Sequence, residues 1–315
     1  MPKDPADRAE RIVGSGDYQY RFIPWWPKLP EKSWPTAVAV DSQDLVYISQ
    51  PQDLWDKRKQ PKDAPLIFIC DPDGNVLNTW GSGACVHTHG LYIANDIVYL
   101  CDKDTSKALM YTLDGKILRV IGEHEVHSET GCEEKMDPVP HPAGPFNFPA
   151  KLVPSPWGDL YAADGYKNAR VHRFHSNGQL IQSWGKYGRT GPGEFALPHS
   201  VLATPDGRVY VCDRFGDRIQ IFNRTGRLVN VWFDARRPSD VIRLPDGNIA
   251  VCEHPSDYYY LDELDYSKPF GVVIFDLEGN VLARLDTGLA HGLAADSRGN
   301  IYLADHHTVN KCVRL

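Results

Sequence analysis

Apolar and polar residues recur along this chain in the same order six times. Each unit opens with a short apolar run, passes through a turn, and adds a second apolar run that in most units leads to an acidic residue. In the fourth unit these parts read PHSVLA, the turn Pro205-Asp206-Gly207, and VYVC followed by Asp213. A hairpin of alternating β-branched and aromatic residues around Thr225-Gly226 completes this unit. Such runs and turns predict four strands per unit.

The spacing of the units predicts the fold class. Units begin at residues 36, 89, 150, 199, 239 and 291, and no stretch has a convincing helical period. Six repeats of four strands are typical of an all-β, six-bladed β-propeller. We predict a single propeller domain over residues 36–315, preceded by an N-terminal arm over residues 1–35.

The last blade needs a strand from the N-terminal arm. The sixth unit ends on its third strand, Lys311–Leu315, and the segment Asp17–Phe22 ahead of unit one can supply the fourth. We expect this segment to close the ring, since closure pairs a sheet edge that would otherwise stay open.

Composition narrows the range of partners and compartments. The net charge is −7 and no basic tract is present, so nucleic acid is not an expected partner. No apolar stretch reaches transmembrane length, and the first residues lack the apolar core of a signal peptide, so neither a membrane nor a secretory route is expected. Most of the seven cysteines fall in strand runs, and no CxxC motif occurs. We expect a cytoplasmic protein.

Three histidines stand at the same position of alternate units, and this is the strongest chemical signal in the chain. They are His89, His199 and His291, and the odd units have Thr36, Ala150 and Ser239 there. Alternate blades of a six-membered ring lie a third of a turn apart, so the three imidazoles should converge on the central axis. One such histidine alone would be read as a hydrogen-bonded structural residue, but the shared register favours a metal site with an open fourth side. Zinc is the predicted ion, and three imidazoles also suit iron, manganese or another divalent ion.

Residues just past the second strands should surround these histidines, because the loops there open on the same rim. They are Lys103, Tyr166, Arg214, His254, His306 and His307. Tyr166 is a candidate general base beside a cation, and a strand-end structural tyrosine is the equal alternative. Arg214 is a candidate to bind a carboxylate or developing negative charge, or to pair with Asp213 or Asp217. His87 is expected on the opposite face, and the loop Asp257–Asp262 is either an adhesive surface or a lid.

From about residue 36 onward the chain resembles the NHL-type propellers, and more closely the catalytic core of peptidyl-α-hydroxyglycine α-amidating lyase. The matching stretches are Thr88–Leu91, Asp164–Val171, Leu197–Ser200, Asp213–Gln220 and Ala290–Leu293. The resemblance implies a six-bladed propeller with zinc held by His89, His199 and His291. It also implies Tyr166 as the base and Arg214 as an assistant at the substrate oxygen.

Three departures from the family pattern affect what can be carried over. The arginine expected after the second strand of blade one is missing from Ile48–Trp55, and Lys57 and Arg58 lie nearby but out of register. Gly292 stands where the family has an aspartate that binds a structural calcium ion, so calcium stays open. The family's disulfide cysteines are replaced by Lys167, Tyr210 and Ile221, which fits a reducing compartment.

The sequence therefore predicts a metal-dependent lyase that cleaves the carbon–nitrogen bond of a carbinolamide-like substrate. The substrate would be a small molecule or a short peptide-like molecule. The first alternative is a hydrolase that uses metal-activated water on a lactone or amide. The second is a non-catalytic NHL propeller that binds a protein partner.

Overall fold

The protein is built almost entirely of β-strands. The computed structural model describes residues 9–53, 59–255, 267 and 269–315. Within these residues the only helical element is a 3₁₀ helix at Arg214–Gly216. No helix in the described part of the chain is long and apolar enough to cross a membrane. Six sheets surround one axis, so the predicted six-bladed propeller is confirmed.

The N-terminal arm contributes two strands, β1 (Arg11–Ser15) and β2 (Tyr18–Ile23). Blade one consists of β3 (Ala37–Val40), β4 (Val46–Ser49), β5 (Ile67–Cys70) and β6 (Val76–Trp80). Blade two consists of β7 (Thr88–Ala94), β8 (Ile97–Asp102), β9 (Lys107–Thr112) and β10 (Ile117–Ile121). Within each blade the strands pair antiparallel in chain order.

Blade three consists of β11 (Pro149–Pro154), β12 (Leu160–Asp164), β13 (Arg170–Phe174) and β14 (Leu180–Trp184). A short parallel pair that the sequence pattern does not predict, β15 (Lys186–Tyr187) and β16 (Glu194–Phe195), precedes the next blade. Blade four consists of β17 (Pro198–Ala203), β18 (Arg208–Asp213), β19 (Arg218–Asn223) and β20 (Leu228–Trp232).

Blade five consists of β21 (Pro238–Arg243), β22 (Ile249–Glu253), β23 (Val272–Phe275) and β24 (Val281–Leu285). Blade six begins with β25 (Gly292–Ala295), β26 (Ile301–Ala304) and β27 (Val309–Arg314). The arm then closes the ring, because β2 pairs antiparallel with β27. The predicted closure is confirmed, with one addition: β1 pairs with β2 and gives this blade a fifth strand.

Apolar side chains between neighbouring blades hold the ring together. The inner strands β3, β7, β11, β17, β21 and β25 contact one another in sequence around the axis. Farther out, Trp80 at the end of blade one packs on Tyr111 of blade two, with ring centroids 5.2 Å apart. Trp184 and Trp232 make the same kind of contact with Phe222 and Phe275 of the following blades. Burial of such rings supplies much of the stability of stacked sheets.

Four of the six inner strands have a β-bulge at the position that His89, His199 and His291 share. The register shifts between Thr88 and Leu91, between Pro149 and Lys151, between Pro198 and Ser200, and between Pro238 and Asp240. A bulge leaves a residue outside the regular pairing and redirects its side chain. His89, Ala150, His199 and Ser239 occupy these bulges, so the local backbone directs the histidines away from the regular sheet faces.

The acidic residue that ends the second strand fixes the segment before the bulge. The carboxylate of Asp102 accepts hydrogen bonds from the backbone N–H groups of Val86 and His87. In blade four, Asp213 does the same for Ala196 and Leu197. These amides lie just ahead of His89 and His199. The acidic residue that recurs in the sequence pattern therefore helps to position both histidines.

Candidate metal centre

His89, His199 and His291 meet on the propeller axis and form a tripod of imidazoles. All three are buried, and one ligand nitrogen from each lies within 4.8 Å of the others. Their ring centroids are 4.7, 4.7 and 5.0 Å apart. Among the described residues, no other group of three or more histidine, cysteine or acidic side chains is so arranged. The predicted convergence of alternate blades is therefore what the fold produces.

Each imidazole is oriented by the equivalent residue of the next blade. Nδ1 of His89 donates to the carbonyl oxygen of Ala150 at 2.9 Å, and Nδ1 of His199 donates to that of Ser239 at 2.6 Å. Nδ1 of His291 donates to the carbonyl oxygen of Thr36 at 2.8 Å. With the proton on Nδ1, Nε2 is the unprotonated nitrogen of each ring, which is how ligating histidines are usually prepared.

The electrostatics of the tripod favour neutral imidazoles. Burial lowers the pKa of all three histidines well below the usual range. The positive charge of Lys103 further lowers the pKa of His89, and that of Arg214 lowers the pKa of His199. Neutral imidazole is the form that binds a metal. Three such donors suit a divalent transition metal and leave a fourth position for a substrate or water, so the residues present fit the implied ion.

Tyr166 reaches two members of the tripod. Its hydroxyl oxygen lies 2.9 Å from Nε2 of His89 and 2.9 Å from Nε2 of His199. Gly165 allows this approach, because a Cβ atom there would lie 2.3 Å from the carbonyl oxygen of Pro198. Burial raises the pKa of Tyr166 to about 12, and the charge of Arg214 acts in the opposite direction.

Arg214 is held against the tripod rather than against the acids beside it in sequence. Its guanidinium donates to Nε2 of His199 at 3.2 Å and to the carbonyl oxygen of His254 at 2.8 Å. Another hydrogen bond of 2.6 Å joins it to Nδ1 of His254. The alternative partners are otherwise engaged: Asp213 pairs with Arg218, and Asp217 pairs with Arg237.

A cavity of about 630 Å³ opens over the tripod. All the residues predicted to surround the histidines line it, namely Lys103, Tyr166, Arg214, His254, His306 and His307. The ring of His306 lies 4.4 Å from that of His291, centroid to centroid. The metal-binding and catalytic roles of the predicted residues stay predictions.

The cavity lining includes residues that the sequence pattern does not place there. His87 also lines the cavity, although the alternation of a strand predicts the opposite face. It precedes β7, and the bulge that follows breaks the alternation. Lys135 and Trp34 come from loops outside the repeat, so no register could place them. Lys57, Arg58 and the loop Asp257–Asp262 lie outside the described residues.

A buried ion pair joins two inner strands through the residues that follow Ala150 and Ser239. The ammonium group of Lys151 pairs with the carboxylate of Asp240. Lys151 passes so close to Gly90 that a Cβ atom there would lie 2.8 Å from Cβ of the lysine. Asp240 also accepts hydrogen bonds from Oγ of Ser200 at 2.7 Å and from the backbone N–H of Leu293 at 3.0 Å.

This ion pair is linked to the backbone of the whole tripod. Lys151 follows Ala150, the residue whose carbonyl holds His89, and Asp240 follows Ser239, which holds His199. The contact with Leu293 reaches blade six, two residues after His291. The implied calcium ion does not fit here. Gly292 offers no carboxylate, and Lys151 contributes an ammonium group to these inner strands, whereas calcium binds through oxygen ligands.

Comparisons with known proteins identify relatives of this chain. No family model matches the chain. NHL repeat-containing protein 3 of Homo sapiens is 32% identical over 252 residues, which cover 74% of this chain and 65% of that protein. Peptidyl-α-hydroxyglycine α-amidating lyase 1 of Drosophila melanogaster is 27% identical over 248 residues, covering 70% of this chain and 43% of that enzyme. The relatives of this chain are NHL repeat-containing proteins and peptidyl-α-hydroxyglycine amidating lyases.

The resemblance seen in the sequence is thus confirmed, over part of each relative. Peptidyl-glycine α-amidating monooxygenase B of Xenopus laevis is 30% identical over 333 aligned residues, which cover 95% of this chain but 36% of that protein. The chain therefore spans from about a third to two thirds of the length of these relatives. Among solved structures, a gluconolactonase of Xanthomonas campestris superposes with a TM-score of 0.65 over 97% of this chain and 95% of its own. At 14% identity this likeness shows the fold alone.

The cysteines of this chain are free thiols. All seven are unpaired, and six of them are buried. Burial raises the pKa of the buried thiols, as in Cys101, Cys212 and Cys252. Five of the seven act as small apolar residues of the sheets, namely Cys70, Cys101, Cys212, Cys252 and Cys312.

Proposed function

We propose that the protein is a metal-dependent lyase that breaks the carbon–nitrogen bond of a carbinolamide, R–CO–NH–CH(OH)–R′. The observation that carries the proposal is the Tyr166 hydroxyl, 2.9 Å from Nε2 of both His89 and His199. As a phenolate, the form that the charge of a bound divalent cation would favour, Tyr166 could take a proton from a substrate hydroxyl held at the open side of the tripod. The amidating-lyase relatives support the substrate class, since a peptidyl-α-hydroxyglycine is a carbinolamide.

His89, His199 and His291 would hold the metal, and zinc is the ion we propose. When bound, a divalent cation supplies positive charge that makes a nearby hydroxyl more acidic. The buried, hydrogen-bonded imidazoles keep the donor nitrogens aimed at one point, so little reorganisation is needed when the ion binds.

Tyr166 and Arg214 would divide the remaining work. As a phenolate, Tyr166 takes the carbinol proton while the carbon–nitrogen bond breaks, and the electron pair of that bond passes to the amide nitrogen. Tyr166 then gives the proton to this nitrogen and returns to the phenolate form. The products are a primary amide and an aldehyde, and no water is consumed. Arg214, fixed by His254, would stabilise negative charge that develops on the substrate oxygen.

The competing function is hydrolysis of an amide or lactone by water at the same tripod. The donor set favours it equally, because three histidines and an open position also suit a metal that activates water. The two functions differ in the acyl product. A lyase releases the acyl group as an amide, whereas amide hydrolysis releases it as a carboxylate that carries a new oxygen from water.

We expect the protein to convert N-benzoyl-α-hydroxyglycine to benzamide and glyoxylate in water enriched in oxygen-18. Mass spectrometry should find benzamide without the label, because its oxygen comes from the substrate. Benzoate with one labelled oxygen would identify a hydrolase instead. Glucono-δ-lactone is the matched control, since labelled gluconate would form only in the hydrolytic case beyond its spontaneous background.

A further inference from the structure

Two ammonium groups share one carboxylate on the wall of the cavity. Nζ of Lys103 hydrogen-bonds to Oδ1 of Asp104, and Nζ of Lys135 lies 2.9 Å from the same oxygen. His87 is the next neighbour, with Nδ1 3.7 Å from the other carboxylate oxygen. Two ammonium groups against one carboxylate leave this cluster, among the described residues, with a net positive charge.

The cavity as a whole has the same sign. Its described charged lining consists of the carboxylate of Asp305 and four cations: Arg11, Lys103, Lys135 and Arg214. Asp104, which pairs with the two lysines but is not part of the lining, offsets one of these positive charges. The carboxylate of Asp305 accepts hydrogen bonds from the backbone N–H groups of His307 and Thr308. In a chain with a net charge of −7, such a concentration of cations in one concave site attracts anionic ligands.

Lys103 is a second cation close to the tripod, beside Arg214, which contacts His199 directly. Only 4% of its surface is exposed, and loss of water lowers the pKa of its ammonium group to about 8. Its Nζ lies 5.2 Å from the ring centroid of Tyr166, whose hydroxyl contacts His89 and His199. One aromatic ring therefore separates the ammonium group from the tripod, a span that a small substrate can bridge.

Part of the cavity wall is apolar. Phe22, Trp25, Trp34, Met136 and Leu289 line it. A ligand with a charged end and an apolar body would thus contact both kinds of surface. The closing strand β2 takes part in this wall through Phe22, so the apolar side is complete only when the ring is closed.

We propose that Lys103, assisted by Lys135, forms an anion-binding subsite and that the substrate is a small carboxylate with an apolar body. The substrate carboxylate would accept charge-assisted hydrogen bonds from the ammonium group of Lys103. It would thereby take the place of the solvent that burial excludes from this group. The inference deepens the proposed function and rests on it for the word substrate. The subsite would carry out the anchoring for which blade one has no arginine in register.

Binding of hippurate tests the subsite without any turnover, because hippurate is N-benzoylglycine and has no carbinol group. Hippuramide, its neutral amide, is the matched ligand. By calorimetry on the metal-loaded protein, the Lys103→Gln variant should bind hippurate roughly 10- to 100-fold more weakly than the wild type does. Lys135→Gln should weaken hippurate several-fold, and Lys103→Arg should retain part of the affinity. Hippuramide should bind all of them alike.

Lys186→Gln is the control for overall charge, since Lys186 is exposed and pairs with Glu194 away from the cavity; it should bind hippurate as the wild type does. Equal affinity of Lys103→Gln and wild type would overturn the proposal. So would a wild type that binds hippurate no better than hippuramide, or not at all. A wild type that binds hippurate selectively but leaves N-benzoyl-α-hydroxyglycine intact would instead contradict the lyase and support the subsite.

Discussion

Replacing Tyr166 with phenylalanine should lower kcat for N-benzoyl-α-hydroxyglycine by about 10²- to 10⁴-fold, the range typical of a lost general base. The substitution removes only the hydroxyl oxygen that lies 2.9 Å from His89 and His199. The ring that packs edge-on against His89, 5.1 Å between centroids, stays in place. The loss should therefore appear in kcat, with little change in unfolding temperature or metal content.

Tyr99→Phe is the matched control for Tyr166→Phe. Tyr99 is buried in blade two and does not line the cavity, so its variant should keep the wild-type kcat. Full activity in Tyr166→Phe would remove the tyrosine from the mechanism. Loss of activity together with loss of the metal would make Tyr166 a structural support of the tripod rather than the base.

Replacing Lys151 with methionine should lower the free energy of unfolding by about 3–5 kcal/mol, the cost of leaving a buried charge without its partner. Asp240 would remain in the channel as a carboxylate whose other donors, Oγ of Ser200 and the N–H groups of Val241 and Leu293, are uncharged. Urea unfolding followed by tryptophan fluorescence measures the change. Metal affinity should fall as well, because Lys151 is adjacent to the carbonyl that orients His89.

An exposed ion pair supplies the comparison for Lys151→Met. Lys59 lies 3.2 Å from Asp53, with 73% of its side chain exposed. Lys59→Met should change the free energy of unfolding by less than about 1 kcal/mol. If the two variants were equally stable, the Lys151–Asp240 pair would not be holding the inner strands together.

The blade frame and the meeting of the three histidines follow from the sequence because a propeller repeats one register six times. Since His89, His199 and His291 share a position in alternate units, closure of the ring brings their side chains together on the axis. The same reasoning finds Tyr166 and Arg214, since both follow a second strand whose end is marked by an acid.

Features that break the repeat cannot be found in this way. His87 lies in the cavity because a bulge interrupts the alternation of β7. The Lys151–Asp240 pair joins blades three and five across the channel, 89 residues apart in sequence. Strand β1 extends blade six beyond the four-strand unit, so the repeat gives no reason to expect it. Each depends on contacts that only the assembled ring creates.

The loops set the limit on what register predicts about the substrate. Lys103 follows a second strand and is expected at the rim, but Lys135 arrives from the long loop between blades two and three. Their shared carboxylate, Asp104, decides the charge of that wall. The tripod therefore indicates the kind of chemistry, whereas the loops between the blades would select the molecule on which it acts.

Metal content is the most direct test of the account, since the lyase and the hydrolase hypotheses both require a bound metal and the binding-module hypothesis does not. Elemental analysis should be run on the protein purified without added metal, beside His199→Ala and the exposed control His175→Ala. We predict about one zinc ion per chain, on the ligand logic of three-histidine sites, in the wild type and in His175→Ala, and almost none in His199→Ala. A folded wild type without any transition metal, or a His199→Ala variant that keeps its full metal content, would contradict the account.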